Sequence, residues 1–253
     1  MIELDKIYLG DCLELMREIP DNSIDCIICD LPYGETANKW DIPIDNQSLF
    51  AEYRRIIKDE GAILLFGSFK LGTKLLTAAP DLYKYEWVWE KESGTNIGNV
   101  NFQPFRVHEY IYVFGKGRCA NGIRTPMKYN PQKTEGKPYC IKKGSLSGNW
   151  RGLKDFTTNN ESGLRHPKTV QFFKRDKSKL HPTQKPVELL RYLIRTYTNE
   201  GDLILDNCIG SGSTAIAAIR ENRHFIGMEL DDKYYKIATE RVNKELQELK
   251  ILY

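Results

Sequence analysis

The sequence predicts an α/β fold in which a mostly parallel sheet is covered by helices on both faces. Three observations carry that expectation. Strand-like and helix-like segments alternate along both flanks of the chain, strand-like runs such as Ile24–Cys29 are nearly all apolar, and a glycine-bounded loop joins one such run to a helix. At 253 residues the chain suffices for one large domain with a small insertion, and it can bury a core without cross-links. Hydrophobic residues at 41% and charged residues at 28% exclude a disordered composition. The longest uncharged apolar runs, such as Gly61–Gly67, fall far short of the roughly 20 residues of a membrane span. The opening Met1-Ile-Glu-Leu-Asp5 lacks the basic flank and apolar core of a signal segment, so a cytoplasmic protein without membrane attachment is expected.

Taken in order, Ile7–Asp11 reads as a short strand ending in an acid, followed by a helix over Cys12–Ile19 and a turn at Pro20–Ser23. Ile24–Cys29 is the second strand. Asp45–Asp59 has the spacing of an amphipathic helix, Ala62–Phe66 is a strand, Lys70–Ala79 a helix, and Tyr85–Glu90 and Glu109–Phe114 are two more strands. Pro186 then opens a helix over Val187–Thr198 at a first-turn position. Asp202–Asp206 is a strand, Ser213–Asn222 a helix, His224–Glu229 a strand, and Asp231–Leu249 a closing helix. Trp87 and Trp89 read as core or wall residues.

Six cysteines are scattered without the regular spacing of a disulfide framework. Cys26 and Cys29 lie in the Ile24–Cys29 strand, where their sulfurs face opposite sides of a sheet. No second Cys or His pair follows at zinc-site spacing, so packing thiols and no metal are expected.

The net charge of +3 conceals an asymmetry. Residues 115–181 hold 16 Lys and Arg against 4 Asp and Glu, while the rest of the chain holds 21 against 30. This block also carries Tyr129, Tyr139, Trp150, Phe156, Phe172 and Phe173 among its cations, the makeup of a surface that grips phosphates and stacks on bases. A solvated loop region with ordinary surface lysines gives the same composition. Its Gly, Pro, Asn and Ser content and lack of helical period favour loops or short strands.

In Leu203-Ile-Leu-Asp-Asn-Cys-Ile-Gly-Ser-Gly-Ser-Thr-Ala215, Gly210 and Gly212 lie between a strand and a helix, and Glu229 ends the next strand. This is how a βαβ unit holds a nucleoside. Gly210-x-Gly212-x-x-Ala215 also fits a relaxed NAD or FAD fingerprint. Asp206 argues against that reading, because a carboxylate at the strand end repels a pyrophosphate and suits a ligand bearing an ammonium and a sulfonium, as S-adenosylmethionine does. Glu229 then fits two ribose hydroxyls. A purely structural glycine corner is the alternative, and Ser213 and Thr214 read equally well as helix-start residues.

Asp30-Leu31-Pro32-Tyr33 follows the second strand, at the sheet edge where open α/β folds bind ligands. An exocyclic amine is a poor nucleophile because its lone pair is delocalised, and two acceptors holding both N–H groups favour the tetrahedral nitrogen that can attack a methyl. The Asp30 carboxylate and the Leu31 carbonyl supply such acceptors, Pro32 stiffens the turn, and Tyr33 offers a stacking face. An ordinary Asx-Pro turn is the bland alternative.

Asp30-Leu-Pro-Tyr33, His181-Pro-Thr-Gln-Lys-Pro186 and Asp206-Asn-Cys-Ile-Gly-Ser-Gly-Ser-Thr214, in that order, resemble the signature of the β-class amino-group DNA methyltransferases. The resemblance runs from about Lys6 to Arg241. It implies a Rossmann-like S-adenosylmethionine-dependent methyltransferase with a mixed sheet in circularly permuted order, the Asp11 strand lying beside the Glu229 strand. It implies a catalytic half at 1–114, a target-recognition insertion at 115–181 and a cofactor half at 182–253. Asp30, Leu31, Pro32 and Tyr33 would handle the target amine. Asp11, Asp30, Thr183, Lys185, Asp206, Asn207, Cys208, Gly210, Gly212, Ser213 and Glu229 would line the cofactor pocket. Leu31 stands where the family usually has proline, and Asn207-Cys208 where it has Pro-Phe. An acid heading the tetrapeptide resembles the adenine-N6 branch more than the cytosine-N4 branch, and a non-catalytic DNA-binding relative is the further alternative. The expected partner is double-stranded DNA with the target base flipped out. A homodimer, and a cognate restriction endonuclease that need not bind physically, are compatible with this plan.

Overall fold

The computed structural model describes residues 2–34, 41–120, 124–143, 156–177, 180 and 183–251. The chain forms two compact units, one of Met1–Asn130 with Thr169–Tyr253 and one of Pro131–Lys168. Trp150, His181 and Pro182 lie outside the described residues. The second unit is narrower than the 115–181 block and carries 8 Lys and Arg against 3 acids.

The larger unit is built on strands β1 (Lys6–Leu9), β2 (Ile24–Asp30), β3 (Ile57–Gly67), β4 (Tyr83–Glu90) and β5 (His108–Phe114). Strands β8 (Val170–Phe172), β9 (Leu203–Asp206) and β10 (His224–Glu229) complete its sheet, in the order β1-β10-β9-β2-β3-β5-β4-β8. The five strands from β1 to β3 run parallel; β5 alone is reversed, pairing antiparallel with both β3 and β4, and β8 pairs parallel with β4. The mixed sheet and permuted order expected from the resemblance are therefore present, with β1 of the chain start paired to β10 near its end.

Strict alternation explains why both faces are covered. Along β2 and β3, Cys26, Ile28, Ala62, Leu64 and Phe66 enter one core with α4 (Val187–Tyr197), α5 (Ser213–Arg220) and α6 (Asp232–Ile251). Ile27, Cys29, Ile63 and Leu65 enter the other, with α1 (Cys12–Met16), α2 (Asn46–Ile56) and α3 (Phe69–Ala78). Cys26 and Cys29 thus face opposite layers, and all six cysteines are free thiols. Trp87 and Trp89 are both buried in the first core.

Several boundaries differ from the sequence reading. The helix expected over Asp45–Asp59 ends at Ile56, because Ile57 pairs with Ile24 and its buried side chain extends the strand. The first strand stops at Leu9, and Asp11 caps α1, its carboxylate accepting from Leu13 N at 2.7 Å. Helix α1 is five residues long rather than reaching Ile19.

The basic block divides in the same way. Lys128 lies in the larger unit, its Nζ 2.5 Å from Asp202 and 3.5 Å from the buried Asp25, and Lys116 donates to the Ile57 carbonyl at 2.8 Å. These cations are spent on the amino edge of the sheet rather than on a ligand. Phe173 tilts against Tyr192 and packs on the core, while Tyr129 leans on the buried Tyr197 and stays exposed. In the smaller unit β6 (Tyr139–Lys143) and β7 (Phe156–Asn160) form an antiparallel pair, and Arg165 covers the Tyr139 ring at 4.5 Å.

Two buried details make the fold testable. Tyr53 is fully buried and its hydroxyl donates to Asn207 Oδ1 at 2.6 Å. Tyr53→Phe leaves that acceptor without its donor and should lower stability by about 1–3 kcal/mol, read as a reduced urea midpoint at unchanged slope. Gly212 begins α5 with φ of 82°, and a Cβ there would lie 3.3 Å from Ala238 of α6. Gly212→Ala should cost about 1–3 kcal/mol through backbone strain alone.

Candidate active site

The carboxyl ends of the parallel strands open into a cavity of about 550 Å³, within the range of small-molecule sites. Its lining follows the strand order. Gly10 and Asp11 after β1 and Glu229 at the end of β10 form one end; Asp206 to Ser211 follow from β9, then Asp30–Tyr33 from β2. Phe66, Glu109, Trp89 and Lys91 from β3, β5 and β4 wall the other end.

At the first end, Glu229 Oε2 accepts from Gly210 N at 2.8 Å and Oε1 from Asp231 N at 2.9 Å. Each carboxylate oxygen keeps a lone pair for a further donor. The φ of 54° at Gly210 turns that amide inward, a conformation glycine adopts at little cost. Asp206 is buried, accepts from Cys208 N at 3.1 Å, and burial pushes its pKa up to about 7. A cation placed beside it would recover that desolvation cost. These groups therefore suit a nucleoside with adjacent positive charge, and Asp11, Cys208, Ser213 and Thr183 share the same lining.

Asn207 and Gly212 have contacts within the protein that the sequence did not show. The Asn207 amide is committed to Tyr53 and to the sulfurs of Cys12 and Cys208 at 3.6 and 3.7 Å, so its side chain fastens the loop to the core. Gly212 does not line the cavity among the described residues; its glycine is required by the left-handed turn and by the approach of α6. Ser213 is in turn held by Arg241 at 3.0 Å.

The Asp30 end is a chain of alternating charges. Asp30 Oδ1 accepts from the Tyr33 hydroxyl at 2.9 Å and Oδ2 from Lys185 Nζ at 2.5 Å. Lys185 Nζ also lies 3.5 Å from Glu109 Oε2, and Lys91 donates to Glu109 Oε1. Burial opposes the charge of Glu109, but Lys185 and Lys91 together hold its pKa below the usual value. Burial raises the pKa of Asp30, against the pull of Lys185 and Tyr33. Lys185, expected among the cofactor contacts, lines the same cavity, with its ammonium on Asp30 and 5.2 Å over the Phe66 ring. In sequence, Lys91 after Trp87-Val-Trp-Glu90 and His108-Glu109 before a strand resemble positions of the family without gaining a role; the pairing of β4 with β5 brings both to the ligand edge. Leu31 is nearly fully buried, while Pro32 and Tyr33 are half-buried on the wall.

The chain is similar to the type II methyltransferase M.BglII of Bacillus subtilis, 28% identical over 273 residues that cover 97% of this chain and 71% of the relative. In fold it is similar to the cytosine-N4-specific PvuII DNA methyltransferase, with a TM-score of 0.66 at 17% identity, covering 95% of this chain and 90% of that one. The M1.HpyAVI–SAM complex superposes with a TM-score of 0.61 at 20% identity, covering 94% and 98%. Methyltransferases of this family use S-adenosylmethionine. With the pattern of the DNA methylase family N6_N4_Mtase matching residues 24–240, which takes in β2 with its tetrapeptide, the glycine loop and Glu229, the chain belongs to that family.

Proposed function

We propose that this protein transfers a methyl group from S-adenosylmethionine to the N6 amine of adenine in double-stranded DNA. The observation that carries the reading is the placement of Asp30 and Leu31 in the same cavity as the Gly210 loop and Glu229. When bound, S-adenosylmethionine supplies a methyl carried on a positive sulfur. Glu229 would hold the ribose hydroxyls, and Asp206 would face the cationic part of the donor. The Asp30 carboxylate would accept one N–H of the target amine and the Leu31 carbonyl the other, withdrawing the nitrogen lone pair from the ring so that it can attack. The proton released afterwards would pass to an Asp30 oxygen, whose burial makes it a better acceptor than an exposed carboxylate. Tyr33 would stack on the flipped base once its hydroxyl leaves Asp30.

The choice of adenine rests on the acid at position 30, which resembles the adenine-N6 branch of the family more than the cytosine-N4 branch. The small unit Pro131–Lys168, with its excess of cations and its strand pair, would contribute to reading sequence and gripping the DNA backbone. Incubation with labelled methyl donor and DNA, followed by digestion to nucleosides, tests the reading: label in N6-methyladenine supports it, and label in N4-methylcytosine or none in DNA overturns it.

Asp30→Asn and Asp30→Ala should each lower turnover by about 10²–10³-fold or more while calorimetry finds S-adenosylmethionine binding retained. Affinity for S-adenosylmethionine should also depend on Asp206. As pH falls through about 7 the carboxylate takes up a proton and loses its attraction for the cationic donor, so affinity declines toward acid and recovers above the midpoint. The Asp206→Asn variant should bind weakly and without that dependence.

A further inference from the structure

We propose that the excursion between β4 and β5 is a wedge that enters the duplex where the target base leaves it, with Phe102 occupying the vacated place in the stack. This inference rests on the reading of the chain as a methyltransferase acting on duplex DNA.

Position is the first argument. β5 begins beside the end of β3, which lies beside the end of β2, so the excursion rises from the sheet edge that holds Asp30. Lys91 and Glu109 at its two stems, and Thr95 above them, line the cavity. A base drawn into that cavity from a duplex brings its neighbours to this rim.

The excursion is also built to hold its shape. Lys91 N donates to Val107 O at 2.7 Å and Thr95 N to Arg106 O at 3.1 Å. Asn96 spans the stems, its Nδ2 donating to Pro104 O at 3.0 Å and its Oδ1 accepting from Arg106 N at 2.6 Å. A short 3-10 turn, Ile97–Asn99, leads to the tip, where Asn99 O accepts from Phe102 N at 2.9 Å. Phe105 packs on Gly94 so closely that a Cβ there would fall 2.6 Å from the ring. Against this frame Phe102 stays 89% exposed and Ile97 78% exposed.

The chemistry fits the inside of a duplex. Residues 93–107 contain no acid and a single charge, Arg106, and they alternate Ile97, Val100 and Phe102 with Asn99, Asn101 and Gln103. Apolar wedges unstack base steps, and amide side chains pair with base edges. The cations stand at the stem rather than at the tip: Arg175 lines the cavity and donates to Ser93 O at 3.4 Å, with Lys174 beside it in the chain. An uncharged tip above a basic stem suits a wedge that enters the stack while the backbone phosphates meet its base.

Phe102→Ala and Phe102→Trp test the wedge, since so exposed a ring leaves folding unaffected. The target site is first mapped by sequencing DNA methylated by the wild-type protein. Two synthetic duplexes then carry that site, one with the target base paired and one with it opposite an abasic residue. The proposal expects Phe102→Ala to lose about tenfold or more in methylation of the paired duplex, about what one stacked base contributes. It expects near wild-type rates on the abasic duplex, where no base pair has to be opened for the target to leave, and retained activity for Phe102→Trp. Equal rates for variant and wild type on the paired duplex, or an equal loss on both duplexes, would overturn it. A dimer seen by light scattering that Phe102→Ala turns into a monomer would identify a second copy as the occupant instead. If the wild-type protein methylates no DNA at all, the methyltransferase reading fails, which is a different result from a variant indistinguishable from an active wild type.

Discussion

The buried ion pair between Asp30 and Lys185 is the constraint on which the rest of the site depends. A carboxylate removed from water without a partner is costly by several kcal/mol, and so is an ammonium. The protein meets this by alternating signs from Asp30 through Lys185 and Glu109 to Lys91, so that each charge has an opposite neighbour. The four residues come from the end of β2, the segment before α4, the start of β5 and the residue after β4. Their alignment requires the parallel and antiparallel parts of the sheet to be joined correctly. With both Asp30 oxygens already hydrogen-bonded, the carboxylate is fixed in direction before any substrate arrives.

The opposite end of the cavity is organised by the backbone more than by charge. The Gly210 turn aims an amide at Glu229, Asp206 sits beneath it in a low-dielectric pocket, and Asn207 fastens the loop to Tyr53 on the helical layer below. Where the family usually has Pro-Phe, this chain thus substitutes a hydrogen-bonded amide and a thiol for rigidity and aromatic packing. The loop is held by a polar contact in the core rather than by a restricted φ.

Local periodicity made much of the fold legible: apolar runs became buried strands, amphipathic spacing became helices, and Asp30, Asp206 and Glu229 were found at strand ends because acids there interrupt an apolar pattern. What escaped was long-range. Lys185 and Asp30 are separated by 155 positions, and nothing near either residue names its partner. Lys91 and Glu109 resemble family positions in sequence but acquire a role only when β4 and β5 are paired. Lys116 and Lys128 counted toward a basic block by proximity in the chain, yet they serve the amino edge of the sheet. The end of α2 was misplaced because Ile56 and Ile57 are both apolar, and only pairing with Ile24 tells helix from strand.

The strand order has a consequence for how the molecule comes into being. β10 and β9 stand between β1 and β2, so two strands synthesised early are held apart by a pair made late, and Lys6 finds its neighbour Ile226 across nearly the whole chain. Contacts so distant in sequence close slowly. A nascent chain emerging from a ribosome would carry Asp30 long before Asp206 and Glu229, with an unfilled slot in its sheet and apolar edges exposed. The two halves of the cavity can become one only with β9 and β10 in place between β1 and β2, so the site cannot exist before those late strands are made.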